Sequence, residues 1–186
     1  MQAIIDAVKQ RRLKANLVAV ISNNSGSMAL QRAEAENIPN YHISSLTHED
    51  SNKADAAIVE ILNKSETDLV VLAGYMKKIG DQTLKAYQGR ILNIHPALLP
   101  KFGGRGMFGK RVHEAVLKSG DSVTGVTIHL IDEKYDNGPI LAQEEVAVLE
   151  NDTADSLAER VLVKEHTLYA ETIAKIISKE IRLPII

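Results

Sequence analysis

The feature that most constrains this chain is the regular exchange of short apolar, β-branched runs for stretches of helical period. Strands that alternate with helices are joined by crossovers, so they pair in parallel and carry helices on their faces. Leu17-Val18-Ala19-Val20-Ile21 is the first strand-like run, and the turn-forming Ser22-Asn23-Asn24-Ser25-Gly26 ends it. A helix is expected from about Met28 to Glu36, with Ala29, Leu30 and Ala33 on one face, and Tyr41-His42-Ile43 supplies a short strand. Ser51 or Asn52 is placed to cap a helix whose apolar face carries Ala56, Ile58, Val59, Ile61 and Leu62. Leu69-Val70-Val71-Leu72-Ala73 is apolar at every position, which predicts a strand buried on both faces and central in its sheet.

Beyond Gly74 the pattern changes. Gly80-Asp81 opens a helix toward Tyr87, and Arg90-Ile91-Leu92-Asn93-Ile94 leads into a strand that Pro96 must end. Lys101 to Gly109 reads as a glycine-rich loop and Lys110 to Lys118 as a helix. From Thr124 to Asp132 the residues alternate, with Val126, Ile128 and Leu130 facing one way and Thr127 and His129 the other. The turn Asp136-Asn137-Gly138-Pro139 returns the chain through Ile140 to Val148 as an antiparallel partner, and a helix from about Thr153 to Lys179 follows. The expected class is α/β, an open, mostly parallel sheet with helices on both faces, in a single domain over residues 1–186. Such a sheet begins with a strand and a glycine-rich turn that feeds the first helix, whereas this sequence opens inside the helix. The expectation is therefore an N-terminally truncated domain lacking about 10–15 residues, the usual length of a strand plus a short loop. Marginal stability is expected with it, because a sheet short of a strand exposes apolar surface and unpaired backbone.

Composition narrows the function classes. With 186 residues, 45% of them hydrophobic, the chain can bury one good core. It carries 22 basic and 24 acidic residues with no block of like charge, a balance that offers nucleic acid no basic surface. Cysteine is absent, which rules out disulfides and thiolate metal sites and fits a reducing compartment. No apolar run approaches the roughly 18 residues of a membrane span, and Met1 to Arg12 reads as an amphipathic helix without a signal-peptide cleavage site. A cytoplasmic protein without a membrane partner is expected. The histidines at 42, 48, 95, 113, 129 and 166 show no helical metal spacing with a third ligand, so no metal is expected. His113 on its helix is expected at the surface.

The segment Asn93-Ile94-His95-Pro96-Ala97-Leu98-Leu99-Pro100 carries the most chemistry. Two apart in a strand, Asn93 and His95 leave the same face, and Pro96 puts them at the strand's end, where open sheets bind ligands. Asn offers a neutral donor to an oxygen gaining charge, and His offers a proton near pH 7. Spacing alone leaves open an Asn and a His satisfied by backbone. Asp136 in its tight turn is a second candidate: a carboxylate near a histidine raises the histidine pKa and can pass a proton through water. Turns favour Asp for backbone reasons as well. Gly104-Arg105-Gly106-Met107-Phe108-Gly109 matches a dinucleotide fingerprint in form, but Pro96 and Pro100 stand where its strand must be. Arg105, Lys110 and Arg111 read instead as a solvated loop able to border an anion.

Asn93-Ile94-His95-Pro96 with Leu98-Leu99-Pro100, then Gly125-Val126-Thr127-Ile128-His129, then Asp136-Asn137-Gly138-Pro139, resembles the 10-formyltetrahydrofolate-dependent formyltransferase family. The resemblance runs from Met1 to about Ser178 and includes Met1-Gln2-Ala3-Ile4-Ile5-Asp6 and Ser22-Asn23. It implies a Rossmann-like fold whose first strand and phosphate-holding loop are missing here. It implies transfer of a formyl group from 10-formyltetrahydrofolate to the amine of a glycinamide ribonucleotide in purine synthesis, without a metal. Another formyltransferase or deformylase of the same family, or an inactive truncated fragment, is the alternative. By the same resemblance Asn93, His95 and Asp136 are catalytic, with protonated His95 and Asn93 stabilising the oxyanion. The folate pocket maps onto Tyr75, Met76, Lys77, Lys78 and Ile79 and onto the loop from Ile131 and Asp132 to Asp136, and Glu165 maps to a substrate contact. The expected partners are these small molecules, the expected state a monomer or weak homodimer.

Overall fold

The structure, a computed structural model, describes residues 1–183. Helix α1 spans Gln2–Lys9 and buries Ile4, Ile5 and Ala7, the face expected from its amphipathic pattern. Strand β1 (Val20–Ser22) pairs in parallel with β2 (Asn40–His42) across helix α2 (Met28–Ala35), which the Ser27 hydroxyl caps by accepting the Leu30 N–H. The expected strand over Leu17–Ile21 thus starts three residues late, since β2 supplies partners only for Val20 to Ser22.

Helix α3 (Ser51–Lys64) is capped one residue earlier than expected, by Asp50, whose carboxylate accepts the Lys53 N–H at 2.7 Å. Its inward face is Ala54, Asp55, Ile58 and Leu62, while Ala56 is exposed. Asp55 is a buried carboxylate with a tertiary role. It accepts the backbone N–H of Gln82 at 2.8 Å and of Thr83 at 3.2 Å, together with the Thr83 hydroxyl, and so caps helix α4 (Asp81–Ala86) from outside. A Cβ at Gly80 would stand 2.1 Å from the Asp55 carboxyl carbon, so this cap needs glycine there.

Strand β3 (Val70–Leu72) pairs in parallel with β4 (Ile91–His95), which pairs antiparallel with β5 (Val123–Leu130), itself antiparallel to β6 (Ile140–Ala147). The order β3-β4-β5-β6 makes β3 an edge of this four-stranded sheet, not its centre, and all its residues are half-buried. Its unbroken hydrophobicity has another source, because helices cover both faces. Val71 packs with one cluster and Val70 and Leu72 with the other, as Leu92 and Ile91 do on β4. The larger cluster holds Ile4 and Ala7 of α1, Val112 and Val116 of helix α5 (Lys110–Ser119), and Leu157, Val161 and Ile173 of helix α6 (Ala154–Ile177). The smaller holds Leu62 and Leu84 from α3 and α4. Tyr169 of α6 locks helix to sheet, its buried hydroxyl within 3.0 Å of the Leu72 carbonyl and 3.1 Å of the Leu92 carbonyl. No helix among the described residues is long and apolar enough to cross a membrane.

Replacing Asp55 with Ala leaves the α4 N–H groups and the Thr83 hydroxyl without their buried acceptor, and bonds to a charged group are worth about 1.5–3 kcal/mol each. The expected outcome is a loss of about 2 kcal/mol or more in urea unfolding with an unchanged slope; an unchanged midpoint would show that α4 does not depend on this cap.

Candidate active site

The end of β4 and its antiparallel neighbour build one wall of the site. Asn93 stands opposite His129 and His95 opposite Thr127, so the four side chains share a face while Leu92, Ile128 and Leu130 fill the core behind them. Asn93 Nδ2 lies 3.1 Å from His129 Nε2. After Pro96 the chain is held by Thr127, whose hydroxyl donates to the Ala97 carbonyl at 2.7 Å and accepts the Leu99 N–H at 3.0 Å. This clamp turns the glycine-rich loop back so that the Phe102 carbonyl meets His95 Nε2 at 2.7 Å.

Asp136 enters from the loop between β5 and β6. Gly138 permits that turn, since a Cβ there would stand 2.0 Å from the Leu130 carbonyl oxygen. Asp136 itself has φ 52°, a left-handed conformation that Asp tolerates better than most residues. Its carboxylate lies between two imidazoles, Oδ2 at 3.6 Å from His95 Nδ1 and Oδ1 at 3.6 Å from His129 Nε2, and Oδ2 accepts the Gly104 N–H at 2.9 Å. At 3.6 Å the imidazole contacts are too long for hydrogen bonds, and they attract the carboxylate through space only when the rings are protonated. Burial alone would push the Asp136 carboxyl up, but His129, His95 and the Gly104 N–H outweigh it and hold the carboxyl below its usual range.

The protonation of His95 differs from the expectation. Asp136 pulls its pKa upward as expected, but burial is the larger effect, and the net result lies below the ordinary histidine value. His95 is 3% exposed. Because the Phe102 carbonyl can only accept, Nε2 carries the hydrogen, and in the neutral ring Nδ1 presents its lone pair toward Asp136.

These groups open onto a cavity of about 710 Å³, and every residue expected at a site lines it: Asn93, His95, Tyr75, Met76, Lys77, Lys78, Ile79, Ile131, Asp132, Asp136 and Glu165. Burial raises the Glu165 carboxyl above its ordinary value. Of the loop cations, Arg105 and Lys110 also line the cavity, with Lys110 paired to Asp155. His113 is a correction: it is 5% exposed and lines the cavity, with Nδ1 buried and no partner among the described residues. Its neighbours Val112 and Val116 mark the inward face of α5, and that period was the available signal. No metal-binding group of side chains occurs among the described residues.

Burial lowers both His95 and His113, and each also feels another imidazole. The unfolded chain therefore binds these protons more readily, so this stability is fully present above the ordinary value of 6.5 and is lost as pH falls below it. Asp136 acts in the same direction only below the ordinary carboxyl value of 3.8, outside this window. Urea unfolding at pH 7.5 and 5.5 should show lower stability at the acid pH, and His113→Gln should flatten the difference; equal stability at both pH values would refute the burial account.

Comparison with known proteins gives the chain its relatives. The family pattern described as formyl transferase matches residues 1–173. The chain is 41% identical over 180 residues to a chloroplastic phosphoribosylglycinamide formyltransferase of Vigna unguiculata, a match covering 97% of this chain and 58% of that relative. It is 35% identical over 176 residues to phosphoribosylglycinamide formyltransferase of Bacillus subtilis, covering 95% of this chain and 88% of the relative. The solved glycinamide ribonucleotide transformylase 1 of Symbiobacterium toebii superposes with a TM-score of 0.90 at 36% identity, over 100% of this chain and 84% of that one. The chain thus spans 58% of the length of each of two plant relatives. On the extent of these matches, the chain belongs to the formyl transferase family.

Proposed function

We propose that this chain transfers a formyl group from 10-formyltetrahydrofolate to the amine of glycinamide ribonucleotide, a step of purine biosynthesis. The observation that carries the reading is the convergence of Asn93, His95 and Asp136 on one cavity in a chain whose relatives bear the names above. The cavity suits the donor: about 710 Å³ falls within the range of small-molecule sites, and Ile79, Ile94, Ile131 and Met107 give it apolar wall.

The donor supplies an activated formyl carbon and the acceptor supplies the amine; the chain supplies charge and orientation. Asn93 can donate an N–H to an oxygen gaining negative charge, without itself carrying charge. His95 supplies the countercharge. Neutral in its buried setting, it can take up at Nδ1, facing the Asp136 carboxylate, the proton that the amine loses as its bond to the formyl carbon forms, and can return it to the donor nitrogen as the bond between that nitrogen and the formyl carbon breaks and tetrahydrofolate leaves. Asp136, held ionised, stabilises the imidazolium in between. Glu165 lines the same cavity with a carboxyl suited to hydroxyl or amine contacts.

The test is a formyl-transfer assay with 10-formyltetrahydrofolate and glycinamide ribonucleotide on this chain, on His95→Ala and on Asp136→Asn. Formylated product is expected, with kcat lowered about 10²–10³-fold in either variant, the range for loss of a positioned charge or donor. Formate released at the same rate without the amine would make the chain a hydrolase, and full activity in His95→Ala would remove the trio from the chemistry.

A further inference from the structure

We propose that His129 is a positioning residue whose neutral tautomer fixes the side-chain amide of Asn93, an inference that rests on the catalytic reading of Asn93 above. His129 is 1% exposed, so water does not compete for its ring nitrogens. Its Nδ1 lies 2.8 Å from the Leu130 carbonyl oxygen, which can only accept, so Nδ1 carries the hydrogen. A neutral imidazole has one N–H, and Nε2 therefore presents a lone pair. The atom 3.1 Å from that lone pair is Asn93 Nδ2, while the nearest Asp136 oxygen, at 3.6 Å, is beyond hydrogen-bonding reach.

The consequence is directional. The two ends of an Asn amide have nearly the same shape, so packing alone cannot choose between them, and hydrogen bonding does. With Nε2 accepting, one N–H of Asn93 is committed to His129. The reversed amide would set its oxygen against the imidazole lone pair. The relay Asn93 to His129 to Leu130 thus leaves the second N–H of Asn93 to serve the cavity. Without it the amide is free to turn and offer its carbonyl to an oxygen that is gaining negative charge. The cross-strand register that sets Asn93 opposite His129 makes this contact a property of the sheet.

Two substitutions separate this role from simple packing. His129→Gln can place an acceptor near the position of Nε2, whereas His129→Asn can keep a donor for the Leu130 carbonyl but stops short of Asn93. In the formyl-transfer assay, His129→Asn is expected to lower kcat at least about tenfold with KM within about twofold, since a lost oxyanion donor costs about 10²–10³. His129→Gln should stay within about threefold of the unaltered chain. In an Asn93→Ala background, His129→Asn should cause no further loss. Equal activity in the Asn variant, equal losses in both variants, or a full additional loss in the Asn93→Ala background would each overturn the inference. The tautomer is read directly by ¹⁵N NMR of the unaltered chain, which needs no variant to fold: a hydrogen on Nδ1 alone supports the relay, and a hydrogen on Nε2 defeats it. If Asn93→Ala itself leaves kcat unchanged, the catalytic reading of Asn93 fails; if Asn93→Ala lowers kcat while His129→Asn does not, only the positioning role fails.

Discussion

The antiparallel register of β4 and β5 is the constraint on which the rest of the site depends. A slip of one residue would turn Asn93 and His95 into the core and bring the buried Leu92 to the cavity, because the side-chain period of a strand is two. The apolar residues enforce the register. Leu92, Ile128 and Leu130 are buried at 2% exposure or less, and exposing them would forfeit about 1.5–3 kcal/mol each. Both ends of the site follow from the same pairing. Thr127, opposite His95, clamps the segment after Pro96 and so aims the Phe102 carbonyl, while Leu130, at the exit of β5, accepts from His129 and borders the turn that delivers Asp136.

How much of this was legible in the sequence depended on how local the cause was. Asn93 and His95 could be placed because a spacing of two and a following proline act within four residues. Asp136 could be placed at a tight turn because Asn137, Gly138 and Pro139 adjoin it. The cap of α3 was misplaced by a residue, from Ser51 or Asn52 to Asp50, because three adjacent residues can all cap and only the observed backbone chooses between them. The position of β3 was misjudged for a different reason: hydrophobicity reports cover by helices on both faces and says nothing of neighbours in the ladder. His113 was harder still, since its setting arises from a loop and a second helix lining the same cavity, whereas alternation along β5 put His129 on the face of Thr127 and only its partner Asn93, 36 residues away, was out of reach.

The electrostatics of His95 make its burial compatible with the proposed role. Unit charges about 4 Å apart attract by about 4 kcal/mol at an effective dielectric near 20, so Asp136 strongly favours an imidazolium at that site. Burial nonetheless prevails and keeps the ring neutral. A histidine charged at rest would already have drawn Asp136 into a full ion pair, and further negative charge nearby would gain less from it. In the proposed transfer, a neutral ring with its lone pair toward an ionised carboxylate lies closer to balance, and a developing oxyanion would tip it, so the stabilisation would appear where the charge appears. The Phe102 carbonyl sharpens the response by holding the hydrogen on Nε2, so that an incoming proton has only Nδ1 to occupy, facing Asp136.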